Sequence, residues 1–78
     1  MVYCRLINKD NNILTYAIGN TSNDVTGELT INAQDLSFDI IKQPSEFEVY
    51  PLSIYKMLIK YENELKNGNA PETMSYDI

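Results

Sequence analysis

Apolar side chains in this chain recur at every second residue up to about position 40, and at every third or fourth residue after position 51. That change of rhythm constrains the fold most, because side chains alternate between faces along a strand but return to one stripe every 3.6 residues along a helix. Glu28-Leu29-Thr30-Ile31-Asn32-Ala33 alternates polar and apolar, as does Leu36-Ser37-Phe38-Asp39-Ile40 after the link Gln34-Asp35. Both read as strands of a sheet with one wet face. Leu29, Ile31, Ala33, Leu36, Phe38 and Ile40 are expected to point into the core, with Glu28, Thr30, Asn32, Ser37 and Asp39 outside.

Residues 2–7 and 13–18 are rich in β-branched, aromatic and aliphatic side chains and flank Asn8-Lys9-Asp10-Asn11-Asn12, a hairpin signature. Asparagine and aspartate tolerate left-handed backbone angles, so this link can reverse without glycine. Alternation is weaker here. Val2, Cys4 and Leu6 share one face, while Tyr3, Arg5 and Ile7 share the other, with Tyr16 expected beside them.

In residues 51–67, Ile54, Leu58, Tyr61 and Leu65 fall at i, i+4, i+7 and i+11, one stripe of a helix. Lys66 in the last turn, Gly68 just after it and Pro71 beyond are stop signals. Phe47 and Tyr50 extend the stripe backward, and Ser45 with Glu48 matches a capping box, so helical structure is expected from about residue 46, with Pro51 kinking it or separating a short first turn from the main helix. The tail, residues 69–78, either docks as an extended segment through Met74-Ser75-Tyr76-Asp77-Ile78 or frays. The resulting expectation is one small α+β domain: a four-stranded antiparallel sheet of two hairpins with one C-terminal helix packed on one face.

Composition narrows the chemistry. Eleven acidic against six basic residues give a net charge of −5, with Arg5, Lys9, Lys42, Lys56, Lys60 and Lys66 scattered, which disfavours direct nucleic-acid binding. No apolar run approaches the ~20 residues of a membrane span, and the opening residues lack the pattern of a secretory signal, so a cytoplasmic protein is expected. The 78 residues include no histidine, the commonest general base and metal ligand. Cys4, the one cysteine, lies mid-strand and reads as a small core residue. Glu46 with Glu48, and Glu62 with Glu64, are the nearest carboxylate pairs, but the first is explained by a helix start and the second by a solvated helical flank.

The polar stretch "GNTSNDVTGE", residues 19–28, invites a test as an ion site. With Asn20 as position one of a calcium loop, Ser22 and Asp24 fit, yet Val25 stands where glycine belongs and Ile31 where glutamate belongs. Its glycines are eight apart and no lysine follows, so it does not cradle phosphate either. It reads as a corner between strands, and no catalytic residue, metal or cofactor is expected.

Leu52, Tyr55 and Ile59 form a second apolar strip on the helix, wider than a small sheet needs to cover. With Tyr3, Arg5 and Tyr16 they make the candidate interaction surface. The leading expectation is a non-enzymatic protein-interaction module, as a homodimer or with one protein partner. An acidic inhibitor or immunity-type protein occluding a basic nucleic-acid-binding partner is the alternative, and it requires Asp35, Asp39, Glu46 and Glu48 to cluster on one face. A small-molecule-binding protein, the third reading, requires a concave pocket lined by convergent polar groups.

Overall fold

The computed structural model describes residues 1–21 and 24–77. Among the described residues, five strands and one interrupted helix make up the fold: β1 (Val2–Asp10), β2 (Ile13–Gly19), β3 (Gly27–Asn32), β4 (Phe38–Lys42), α1 (Pro51–Lys60), α2 (Glu62–Lys66) and β5 (Thr73–Tyr76). All the strands lie in one antiparallel sheet of order β4-β3-β2-β1-β5. The α+β class and the antiparallel sheet follow the periodicity, but the sheet has five strands rather than four. The fifth is the tail, in which Val2 pairs with Tyr76 and Cys4 with Met74. Met74 is buried, which is what holds the segment down.

Leu29 and Ile31 on β3 and Leu14, Tyr16 and Ile18 on β2 all point to the helix side, where Val2 and Cys4 of β1 join them. Tyr16 is therefore a core residue, fully buried, and not a member of the Tyr3 and Arg5 face. Its position has the same parity as Leu14 and Ile18, and its pairing with Leu6 fixes it opposite a core residue of β1. The phenol donates a 2.6 Å hydrogen bond to the Pro71 carbonyl, satisfying the one polar atom that burial would otherwise strand. A register shift between Leu6 and Asn8 leaves Ile7 exposed. Below it β1 continues to Asp10, and Asn11 turns the chain at φ 55°.

The helix begins at Pro51, not near residue 46. Tyr50 is its N-cap at φ −93°, ψ 143°, the extended geometry that the following proline imposes. No capping box forms, since Ser45 instead bonds to Thr26, its N–H donating to Thr26 Oγ1 at 2.8 Å. The connector bends at Ser45 and Glu46 and folds back, its ends tied where the Gln43 amide pairs with the Val49 backbone, donating to its carbonyl at 3.0 Å and accepting its N–H at 2.8 Å. Val49 is buried, whereas Tyr50 points into solvent. Glu46 and Glu48 accordingly sit in this connector rather than at a helix start.

At Tyr61 the helix is interrupted, yet i→i−4 hydrogen bonds continue on either side of the break: Tyr61 N–H donates to Met57 and Leu65 N–H to Tyr61. Gly68, at φ 80°, ends it, with Asn69 N–H reaching back to the Glu64 carbonyl at 3.0 Å, the 6→1 bond of a left-handed C-terminal cap. Ile54, Leu58 and Leu65 enter the core as the stripe requires, joined by Met57, and Tyr61 is half-buried.

Burial also sets an alkaline limit. Desolvation pushes the Cys4 thiol up to about 12, and it raises Tyr16 too, with the neighbouring Cys4 charge as the second cause. Both groups are neutral in the fold, so their contribution is complete below the ordinary thiol value of 9.0 and is lost as pH rises toward 12. The expected outcome is a stability plateau to about pH 9 that then falls by up to ~1.4 kcal/mol per pH unit per group. Urea melts between pH 7 and 11 check it, and a flat profile would mean that these side chains are solvated.

Candidate interaction surface

One helix cannot roof five strands. Four inter-strand spacings span about 19 Å, whereas a helix with its side chains is about 10 Å wide. Here it sits toward the β1 and β5 side. Met57 Sδ lies 3.8 Å from Cys4 Sγ, and Lys60 Nζ reaches the Ser75 carbonyl at 3.1 Å. The helix side of β4 is left partly open, so Phe38 and Ile40, expected in the core, are only half-buried. Leu36, also expected inside, is likewise half-buried.

Leu52, Tyr55 and Ile59 are 62, 56 and 50% exposed. A groove of about 310 Å³ runs between α1 and the β3–β4 turn, walled by Tyr55, Leu58, Ile59 and Leu36 and rimmed by Asp35, Glu62 and Lys66. The turn holds its shape through side chains. Asn32 Oδ1 accepts the Gln34 N–H, and Asp35 accepts both the N–H and the hydroxyl of Ser37, at 2.9 and 2.7 Å. Those two bonds hold the Asp35 carboxyl below the usual carboxylate range. Leu36 sits at φ 61°, a left-handed conformation that costs a leucine about 1 kcal/mol or more, so its contact with the core opposes real strain.

The open face of the sheet carries the rest of the expected surface. Tyr3 is half-buried and Arg5 exposed, and register places them beside Ser75, Gly19, Thr73 and Ala17. They lie on the opposite side of the sheet from Leu52, Tyr55 and Ile59, so the six candidates do not form one patch. Sequence reasoning passed over Leu36, Phe38 and Ile40 as surface residues. The signal was the adjacent pair Ile40-Ile41, which on a strand must present one apolar side chain to each face. Ile41 is indeed exposed.

The acidic residues are divided in the same way. Asp39 pairs with Thr30 on the open face, while Asp35 rims the groove on the helix side. The Gly19 to Glu28 loop turns between β2 and β3, with Asn20 N–H donating to the Asp24 carbonyl at 3.2 Å. Ser22, which would ligate an ion in a calcium loop, and Asn23 lie outside the described residues, as does Ile78 of the tail. Among the described residues no three of Cys, Asp or Glu are grouped to hold a metal ion, and no helix is long and apolar enough to cross a membrane.

A second concavity, about 340 Å³, opens at the hairpin end beneath Lys9, Asn12, Gln34 and Lys66. Its cations are already engaged: Lys9 donates to the Gly68 carbonyl at 3.0 Å, and Lys66 pairs with Glu62 at 3.1 Å.

No protein-family model, curated protein or solved structure matches this chain. The functional reading therefore rests on the surface itself.

Proposed function

We propose that this chain is a non-enzymatic protein-interaction module whose working surface is the exposed shoulder of α1 together with the half-covered helix side of β4. The observation that carries the reading is the apolar groove in which Tyr55 and Ile59 of α1 face Leu36 of the β3–β4 turn, with Leu52 exposed on the same helix and Phe38 and Ile40 of β4 only half-buried. Each half-exposed side chain taken to full burial contributes on the order of 1 kcal/mol, so six of them suffice for a specific contact. A sequence without histidine, and a thiol sealed in the core, favour surface recognition over catalysis.

Sedimentation across the micromolar range should give a mass that rises with concentration, or a complex with a protein from native extract. A Tyr55→Glu, Ile59→Glu double variant should lose that association with its circular dichroism unchanged. The reading is lost if the parent chain stays monomeric and retains no protein that the double variant does not retain equally.

A further inference from the structure

Two of the six basic residues stand over one concavity. The hollow of about 340 Å³ at the hairpin end is rimmed by Lys9 and Lys66, and among the described residues no aspartate or glutamate lines it, although the chain carries eleven. Its floor is apolar. Leu14 of β2 and Leu65 of α2 are buried beneath it, and Ala33 and Ala70 are half-buried beside them. Alanine at both positions leaves space that a larger side chain would fill. A volume near the lower bound for small-molecule pockets, over an apolar floor with a few polar groups on the rim, is the pattern of a ligand site. At ~30 Å³ per water-sized group it holds about eleven non-hydrogen atoms.

Engagement of the two cations does not exhaust them. Lys9 gives one of its three donors to the Gly68 carbonyl at 3.0 Å, a bond that fixes the ammonium at the mouth and leaves two donors. Lys66 pairs with Glu62, but both side chains are 46% exposed, and an exposed i,i+4 pair is weak enough to be exchanged for a ligand. The side-chain amides of Asn12 and Gln34 add donors on the same rim.

We propose that this concavity binds a small organic carboxylate with an apolar body of roughly six to eight carbons, its head group taken by Lys9 and its body lying on Leu14, Leu65 and the two alanines. Charge sets the sign of the ligand, since a cation would meet two ammonium groups and no carboxylate on the lining. The competing role for Lys9 is only to cap the end of the helix, whose last carbonyls attract a cation. Capping needs no hollow floor, and the two roles separate by measurement. Apart from Lys66, the site shares no residue with the groove at α1, so it can fail without touching the interaction reading.

The test is titration of the full chain with hexanoate and with hexan-1-ol, followed through backbone amide NMR shifts. Hexanoate is expected to give saturable shifts centred on Asn12, Ala33 and Gly68, with a dissociation constant of about 0.1 to 5 mM for a ligand of this size. Hexan-1-ol should bind about fivefold more weakly. Lys9→Met, which keeps the stem and removes the charge, should weaken hexanoate about fivefold and abolish its advantage over the alcohol. Ala33→Leu, which fills the floor, should remove binding of both. If Lys9 only caps the helix, Lys9→Met lowers the melting temperature and leaves hexanoate binding as it was, which overturns the proposal. So do equal affinities for acid and alcohol in the parent chain, shifts centred on Tyr55 and Ile59 instead, or no saturation by ~20 mM.

Discussion

Gly19→Ala is expected to prevent folding, or to leave a protein that melts at or below room temperature. A Cβ at this position would overlap the Asp24 carbonyl and press on the Val25 Cα, all of it backbone that cannot rotate away. Relief requires moving either the end of β2, where Gly19 pairs with Tyr3, or the chain that enters β3. Overpacking against movable side chains costs roughly 1 to 3 kcal/mol, and an immovable neighbour pushes the figure beyond that. A domain of this size has a total stability of about 4 to 12 kcal/mol, so the loss is a large fraction of the whole. Gly68→Ala is the informative control. Its site is open, with nothing within 4 Å of the added carbon, but its φ is 80°. Only the left-handed penalty of about 1 kcal/mol applies. Urea titrations followed by circular dichroism should separate the two, and equal midpoints would mean that the tight corner after β2 is misplaced.

The second expected result compares adjacent helical residues. Leu58 is buried and Ile59 is half-exposed, so truncation to alanine should cost about 2 to 5 kcal/mol at Leu58 and within about 0.5 kcal/mol at Ile59. For a domain of this length those losses lower the melting temperature by about 8 °C or more at Leu58 and by only a few degrees at Ile59, each kcal/mol being worth ~4 to 8 °C. Thermal melts at low protein concentration are the measurement, because association at α1 would add stability through Ile59. Comparable losses at both positions would place Ile59 in the core and remove the free shoulder on which the interaction reading stands.

Rhythm made the central architecture legible, since β3, β4 and the helix from Pro51 follow directly from which residues repeat and how often. Three features were hidden for separate physical reasons. The fifth strand is four residues long, and two periods of alternation are indistinguishable from chance in a terminal segment. It is a strand because β1 offers it an edge and the core offers Met74 a place, and neither is a local property. The backward helical extension failed because stripe and capping signals are weak preferences, each worth ~1 kcal/mol or less. Proline's exclusion of helical angles from Tyr50 outweighs them. Tyr16 was misplaced although its parity with Leu14 and Ile18 was visible, because tyrosine suits core and surface equally. Of the candidate surface, the helical strip was legible from its excess width. Its sheet half was not, since whether Phe38 and Ile40 are roofed depends on the helix lying nearer β1, a displacement that periodicity does not encode.

That the first strand also pairs with the last one has a kinetic meaning. Joining Val2 to Tyr76 closes the longest loop in the molecule, and such closures come after local hairpins because their entropy must be met before any contact rewards it. Until then β1 is itself an open rim, carrying Val2 and Cys4 uncovered on one side. The returning segment thus completes the core and shields the growing fold from foreign strands in one event, confining the exposed template to β4.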